Sequence, residues 1–159
     1  MKTTTFDSQM GLFKISLEDG KVLELCHRED WLGKAPKKDI LTSEEQKLVE
    51  QVKKQIEQYH TGKRKNFDFP VSLHGTEFQK KVWRALTEIS FGKTKTYGEI
   101  AILIGSPGAA RAVGTAVKKN PLLIAVPCHR VVASQGIGGF NAGVDLKKRL
   151  LQIEGVFFS

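Results

Sequence analysis

Residues 97–119 read YGEIAILIGSPGAARAVGTAVKK and contain two short helical patterns separated by a turn. Apolar residues at helical spacing mark a first helix over 97–104, and Gly105 ends it. Ser106 is suited to cap a second helix, with Pro107 at its first position. Two helices joined by about three residues are typical of a helix-turn-helix. The stretch therefore predicts this motif in the second half of the chain.

The second predicted helix, residues 107–119, consists largely of alanine and glycine. Arg111 lies near its start, and Lys118 and Lys119 lie at its end. Small residues let a helix pack closely against neighbouring helices, and they equally let it approach the floor of a DNA groove. Its first turn also presents backbone N–H groups that can bind phosphate. The pattern is compatible with close packing and with DNA binding.

Beyond this motif, the apolar run 122–126 leads into PCHRVV at 127–132, and we predict a buried strand there. A cysteine thiol with its ordinary pKa of about 8.5 is mostly protonated at neutral pH, so nucleophilic chemistry needs a nearby base or positive charge. His129 can supply either, and Arg130 adds charge. Because neighbouring residues of a strand point to opposite faces, contact between Cys128 and His129 requires a turn or a bridging water.

A glycine-rich segment and a final helix complete the second half. Residues 136–143 (GIGGFNAG) are rich in glycine, which predicts a loop with unusual backbone angles. We expect Asp145 to cap a last helix over 146–154. Gly155 then ends this helix.

The first half contains a hairpin and one amphipathic helix. Alternating apolar residues over 11–28 flank an Asp-Gly dipeptide, which is typical of a tight turn between antiparallel strands. After a loop over 31–40, Thr42 and Glu45 have capping-box spacing. Apolar residues then recur at helical spacing until a Thr-Gly dipeptide ends the helix.

The segment 66–75 has the character of a linker or an edge segment, and we place a domain boundary there. Beyond it, Thr76 begins a helix by the same capping-box spacing, and Gly92 closes it. The fold class predicted is α/β (α+β). Residues 1–72 form a small α/β domain with an antiparallel sheet. Residues 73–159 form a mainly helical domain that carries the helix-turn-helix and the PCHRVV strand.

The composition is that of a soluble globular protein, with 40% hydrophobic and 26% charged residues. A formal net charge of +8 favours polyanions, first nucleic acid and then anionic membrane surfaces. No apolar run approaches the roughly 18 residues of a membrane span. Residues 1–10 also lack the apolar core of a secretion signal. We therefore expect a cytoplasmic protein that is not attached to a membrane.

The chain has two cysteines, Cys26 and Cys128, which argues against a disulfide scaffold in an intracellular protein. We expect Cys26 to be a buried strand residue. Together with His27, His60 and His74 it matches no zinc pattern, so neither a metal nor a cofactor is expected.

The motifs of the second half resemble those of the O6-alkylguanine-DNA alkyltransferases, also called methylated-DNA–protein-cysteine methyltransferases. Residues 127–132 resemble the active-site signature of that family, and further segments match in order over 75–155. These are the tyrosine segment 96–101, the recognition helix at 109–114, the Asn120-Pro121 pair and the closing helix at 150–155. The first half resembles the variable domain of the family only in length and coarse pattern.

The resemblance implies DNA repair by transfer of an alkyl group from O6-alkylguanine, and also O4-alkylthymine, to Cys128. Cys128 attacks the alkyl carbon by in-line displacement, His129 deprotonates it through a water, and Glu154 orients His129. Asn120 holds the turn beside the active-site strand, and Tyr97 protonates or hydrogen-bonds the departing guanine. A thioether has no easy leaving group, so the reaction is a single irreversible turnover.

The resemblance further implies a monomer that binds double-stranded DNA through the minor groove. Arg111 takes the place of the extruded guanine in the base stack, which offsets part of the cost of extrusion. The implied DNA contacts are Arg111, Ala110, Tyr97 and Lys118. The implied base pocket comprises Val131, Phe140, Asn141 and Ala142. The family usually has tyrosine, a smaller residue and glycine at the last three positions, and these departures concern the size of the pocket.

Three other functions fit parts of the pattern. A module that recognises alkylated bases and recruits other repair factors does not need Cys128. A cysteine hydrolase using Cys128, His129 and Glu154 turns over repeatedly and does not need DNA. A redox-sensing transcription regulator needs a reactive thiol outside a base pocket. A gain of one methylene, confined to Cys128, distinguishes the alkyltransferase from all three.

Overall fold

The computed structural model describes residues 1–28 and 36–158 of the chain. The chain divides into two compact units, Met1–Leu73 and His74–Ser159. Helices and strands occur in both, which confirms the predicted α/β class. The part of the predicted 31–40 loop that precedes residue 36 lies outside the described residues, and the remainder has no regular secondary structure.

The first unit contains a three-stranded antiparallel meander. The strands β1 (Lys2–Ser8), β2 (Gly11–Glu18) and β3 (Lys21–His27) pair in the order β1-β2-β3. The predicted hairpin is confirmed, and its Asp19-Gly20 turn has φ values of 51° and 74°, as tight hairpin turns require. β1 is not predicted from the sequence, because its polar, threonine-rich segment shows no clear apolar alternation.

The helix α1 (Ser43–His60) packs against β1 and begins at the predicted capping box. The backbone N–H of Glu45 donates to the Thr42 hydroxyl at 3.2 Å, and the backbone N–H of Thr42 donates to the Glu45 carboxylate at 2.9 Å. The predicted apolar face is buried; it comprises Leu48, Val49, Val52, Ile56 and Tyr59.

At the edge of this sheet, the prediction for the segment 66–75 agrees with the structure, whereas the predicted burial of Cys26 does not. Val71, in the segment predicted as a linker or an edge, forms a parallel bridge with Val22 of β3. Cys26 lies on β3 as expected, but it is only half-buried. It is paired with Lys14, whose ammonium group lies 2.6 Å from the carboxylate of Glu24, so Cys26 belongs to the more polar face of the sheet.

In the second unit, three helices pack against one another: α2 (Glu77–Thr87), α3 (Tyr97–Leu103) and α4 (Ala110–Lys118). The predicted capping box at the start of α2 is confirmed, but the helix ends at Thr87 rather than at Gly92. The indole N–H of Trp83 donates to the carbonyl oxygen of Ala116 at 2.9 Å. The small residue at this position of α4 therefore serves close helix packing.

α3 and α4 are joined by a short turn, but α4 begins later than predicted. Ser106 is not the N-cap; that position is held by Ala109, whose side chain makes no capping bond. The carbonyl oxygen of Ser106 instead accepts the backbone N–H of Ala109 at 3.0 Å. Gly108 between them has a φ of +89°, which is incompatible with a helix. Pro107 therefore lies in a turn and not at a first helical position.

The prediction of a strand over 122–126 is wrong. Leu123 and Val126 form only an isolated bridge, and Ile124 between them has a φ of +71°. Regular strand geometry is confined to β5 (Val131–Val132), which pairs in parallel with β4 (Lys95–Thr96). The run is apolar because it is buried, and periodicity alone does not distinguish a buried strand from a buried turn.

The closing helix α5 (Val144–Ile153) has Gly143 as its N-cap. Asp145, the predicted cap, is wrong for that role; it lies within the first turn, where a carboxylate still interacts favourably with the helix dipole. Lys147, Leu150 and Leu151 form the buried face of α5. The helix places Glu154, its C-cap, on this same inward side.

Candidate active site around Cys128

The turn that leads to Cys128 is held by the side chain of Asn120. Its amide nitrogen donates to the carbonyl oxygen of Val126 at 2.8 Å, and its amide oxygen accepts the backbone N–H of Leu122 at 3.0 Å. Ile124 has left-handed backbone geometry, which is rare for a β-branched residue and persists only where the surroundings enforce it. Asn120 therefore fixes both ends of a strained turn directly before Cys128.

Cys128, His129 and Arg130 form a single 3-10 turn rather than a strand. The backbone N–H of Arg130 donates to the carbonyl oxygen of Pro127 at 3.0 Å. In such a turn successive side chains are about 120° apart, so Cys128 and His129 do not point to opposite faces. This turn is one of the two solutions that the sequence allowed. Cys128 is buried, with 5% of its surface exposed.

The turn directs His129 and Arg130 toward Glu154 at the end of α5. His129 Nε2 lies 2.6 Å from Glu154 Oε2. Arg130 donates from Nε to Oε1 at 2.8 Å and from Nη2 to Oε2 at 3.1 Å. The backbone N–H of Gly92 donates to Oε1 at 3.0 Å. The carboxylate therefore accepts four hydrogen bonds in a buried site.

These contacts determine the protonation states of the pair. Burial favours the neutral carboxyl, but hydrogen bonds from His129 and Arg130 outweigh it and lower the pKa of Glu154 to about 2. Burial lowers the pKa of His129 below its ordinary value, although Glu154 acts in the opposite direction. At neutral pH, Glu154 is ionised and His129 is neutral. Because an ionised carboxylate only accepts hydrogen bonds, the ring proton resides on Nε2, and Nδ1 carries the basic lone pair.

Arg130 does not act as the sequence analysis expected. Besides Glu154, its guanidinium donates from Nη1 to the carbonyl oxygen of Ile89 at 2.6 Å and lies 5.9 Å from the ring centroid of Phe91. Its positive charge is thus directed at the carboxylate rather than at the Cys128 thiol.

Lys147 is a site residue that the sequence analysis missed. Its ammonium group is completely buried, and it donates to the carbonyl oxygens of Val131 at 2.6 Å and Gly139 at 3.0 Å. Burial lowers the pKa of Lys147 to about 8, although negative charge at Cys128 acts in the opposite direction. Its spacing from Leu150 and Leu151 already places it on the inward face of the last helix, and this periodicity could have identified it.

Tyr97 approaches the same region from the start of α3. Burial raises the pKa of Tyr97 above its ordinary value, and a thiolate at Cys128 raises it further. A Cβ atom on Gly138 would lie 3.4 Å from the Tyr97 hydroxyl and 3.5 Å from the Lys147 ammonium nitrogen. Since Gly138 also has a φ of +77°, glycine is the residue that lets the loop come this close to both side chains.

The four residues predicted to line the base pocket differ in burial. Val131 and Ala142 are buried, and the ring of Phe140 is half-buried with its centroid 6.0 Å from the Lys147 ammonium nitrogen. Asn141 is exposed, and its side-chain amide donates to the carbonyl oxygen of Lys118. The loop is therefore attached to α5 through Lys147 and to the end of α4 through Asn141.

The residues predicted to contact DNA lie on α3 and α4. Arg111 is exposed in the first turn of α4, and Lys118 is exposed in its last turn. Within residues 1–28 and 36–158, the Arg111 guanidinium takes part in no hydrogen bond or ion pair. Ala110 is half-buried at the start of α4, beside Arg111. Tyr97 packs near Gly114, where a Cβ atom would lie 3.8 Å from its ring.

The described residues contain neither a metal-binding cluster nor a membrane-spanning helix. No group of three or more His, Cys, Asp or Glu side chains in this part of the chain could hold a metal ion. No helix in the described ranges has the length and apolar character needed to cross a membrane.

Comparison with known proteins identifies the family. Residues 77–156 match the family model described as 6-O-methylguanine DNA methyltransferase, DNA binding domain. The inducible methylated-DNA–protein-cysteine methyltransferase of Bacillus subtilis is 46% identical, over 91% of this chain and 79% of the relative. A methylated-DNA–protein-cysteine methyltransferase of Methanosarcina acetivorans is 49% identical, over 70% of this chain and 72% of the relative.

A solved structure agrees over almost the whole chain. The crystal structure of Mycobacterium tuberculosis OGT in complex with DNA superposes with a TM-score of 0.82 at 36% identity, covering 98% of this chain and 93% of that one. The sequence, the fold and the site around Cys128 thus lead to one assignment. The chain belongs to the family of methylated-DNA–protein-cysteine methyltransferases.

Proposed function

We propose that this protein repairs DNA by transferring the alkyl group of O6-alkylguanine, and of O4-alkylthymine, to Cys128. The observation that carries the proposal is that the buried Cys128 is followed, in one 3-10 turn, by a neutral His129 that is hydrogen-bonded to the ionised Glu154. This is the order of nucleophile, base and orienting group that activates a weak nucleophile.

The chemical step is a displacement at the alkyl carbon. His129 Nδ1 takes the thiol proton, through a water, and the thiolate of Cys128 forms a carbon–sulfur bond. The carbon–oxygen bond breaks at the same time, and its electron pair stays on the guanine. Tyr97 stabilises the departing guanine anion by donating a hydrogen bond, or it protonates the anion and regains a proton from solvent. Its raised pKa keeps the hydroxyl protonated, which suits a donor.

The base must leave the duplex to reach Cys128. We propose that α4 enters the minor groove and that Arg111 occupies the gap left by the extruded nucleotide. The exposure of Arg111 in the first turn of α4 supports this role. Ala110 offers little bulk beside it, and Lys118 is suited to bind phosphate. We propose that Val131, Phe140 and Ala142 line the base pocket, and that Asn141 attaches their loop to the end of α4 through the carbonyl oxygen of Lys118.

Residues 73–159 are the proposed alkyltransferase domain, and residues 1–72 are a separate N-terminal domain. We further propose that the protein acts in the cytoplasm as a monomer, without a metal or another cofactor. The thioether formed at Cys128 has no easy leaving group, so each molecule reacts once.

Intact-mass measurement tests the proposal. The protein is incubated with duplex DNA that contains one O6-methylguanine, and a Cys128→Ala variant serves as the control. We expect a gain of one methylene in the wild-type protein, located on the peptide that contains Cys128, and no gain in the variant. Binding of the modified DNA without any gain in mass would instead favour a recognition module.

A further inference from the structure

We propose that Arg130 is a positioning residue for His129: it orients the shared Glu154 carboxylate and offsets its charge, so that His129 is neutral before reaction. This inference rests on the proposed function only where it concerns the rate of transfer. The carboxylate oxygens of Glu154 are shared between the two side chains. Oε2 accepts from His129 at 2.6 Å and from Arg130 at 3.1 Å, and Oε1 accepts from Arg130 at 2.8 Å.

Arg130 is itself held from the opposite side. Its third nitrogen donates to the carbonyl oxygen of Ile89 at 2.6 Å, and its guanidinium lies over the ring of Phe91. Only 6% of its surface is exposed. A guanidinium fixed at two edges and one face cannot swing into solvent, so its charge stays beside the carboxylate.

The charge of Arg130 affects catalysis because His129 must be neutral to accept the thiol proton. A single carboxylate within about 4–6 Å favours the imidazolium form of histidine and typically changes its pKa by about 1–3. A histidine that is protonated before reaction cannot accept the thiol proton. With Arg130 in place, the buried group contains one positive and one negative charge, and a neutral ring is the favoured state.

The other titratable groups near His129 either favour or oppose its imidazolium form. Lys147, on α5, repels the imidazolium form, as Arg130 does. Glu154 attracts it, and Cys128 attracts it only as a thiolate. Burial of the ring is the largest of these effects and lowers the pKa of His129. Arg130 is the one of these groups that touches the same carboxylate as His129.

The direct test is the pKa of His129, measured by proton NMR titration in a Cys128→Ala background that removes the thiol. We expect Arg130→Met to raise this pKa by at least about 1, which is a tenfold increase in the ratio of protonated to neutral ring. Arg130→Lys keeps the charge and should restore most of the wild-type value. Arg149→Met removes an exposed charge from α5, the helix that ends at Glu154, and should leave the pKa of His129 unchanged.

A second pair of variants covers loss of folding, because Arg130→Met leaves a buried carboxylate without its partner. Glu154→Gln removes this carboxylate and keeps Arg130, and Arg130→Met/Glu154→Gln removes both charges. Because Arg130 also repels the imidazolium form directly, the pKa of His129 should be higher in the double variant. An unchanged pKa in either comparison would overturn the inference. Failure of alkyl transfer with the predicted pKa changes intact would instead count against the proposed function.

Discussion

The ammonium nitrogen of Lys147 lies 2.6 Å from the carbonyl oxygen of Val131, directly after the turn that carries Cys128. The same nitrogen donates to Gly139 in the glycine-rich loop. One buried side chain thus connects the active-site turn with the wall of the proposed base pocket. Because burial lowers the pKa of Lys147 to about 8, the contribution of Lys147 to stability depends on pH.

We predict that Lys147 makes the protein more stable as the pH rises from about 8 toward 10.5. In this interval the unfolded chain still binds a proton at Lys147 and the folded protein has released it, so the free energy of unfolding increases with pH. Chemical denaturation at pH 7.5 and 9.5 measures the increase, with Cys128→Ala as the background so that the thiol does not contribute.

The matched variant is Lys147→Met, which keeps the length of the side chain. It should show less increase between the two pH values than the background protein does. It should also be less stable at pH 9.5, because two buried carbonyl oxygens lose their donor at a cost of about 1–3 kcal/mol each. Equal pH dependence in both proteins would contradict the shifted pKa of Lys147.

We predict that Glu154→Gln slows alkyl transfer by about tenfold or more, since it removes the charge that orients His129 and supports its protonation. Single-turnover kinetics on O6-methylguanine DNA measures this. The variant should also unfold at a lower denaturant concentration, because Arg130 is then buried without its carboxylate. A folded variant with the wild-type rate constant would exclude the role of Glu154.

We predict that Arg111→Ala impairs repair of duplex DNA more than reaction with a free O6-alkylguanine base. The free base needs no extrusion, so the loss of an intercalating side chain should affect it little. The measurement is the ratio of mutant to wild-type rate constants, at saturation, for duplex, single strand and free base. Lys118→Ala is the control; it should weaken binding to every DNA without a special effect on duplex repair. Equal ratios for Arg111→Ala across all three substrates would reject intercalation.

DNA affinity should fall steeply with salt and depend little on sequence. Arg111, Lys118 and Lys119 are exposed on or next to α4, and 109–119 contain no Asn or Gln to read base edges. A plot of log affinity against log salt should have a slope steeper than about −2, which corresponds to two or more neutralised phosphates. A flat plot, or a strong preference for one undamaged sequence, would contradict electrostatic binding.

The sequence predicts elements whose cause is local. The capping boxes at Thr42 and Thr76 and the Asp19-Gly20 turn are encoded within a few residues, and the structure contains all three. The start of α4 is not predicted, because Ser106 and Pro107 favour a helix that Gly108 interrupts with its positive φ. The backbone at 122–126 likewise depends on a side chain outside the run, Asn120.

The active site, too, is only partly predictable from the sequence. The residue types at Cys128, His129 and Glu154 are recognisable from a family signature. The partition of Glu154 between His129 and Arg130 depends on residues 24 and 25 positions apart along the chain, and no local pattern encodes it. The role of Lys147 is not predicted for another reason: lysine is seldom completely buried, so a lysine in an amphipathic helix is expected at the surface.

In the proposed reaction, Cys128 accepts one alkyl group and is not regenerated. The most direct measurement follows methyl transfer from a large excess of O6-methylguanine duplex DNA over several hours. We expect a plateau at one methyl group per protein molecule, with all of it on Cys128. Continued removal of methyl groups beyond that ratio, or a plateau with Cys128 unmodified, would contradict it.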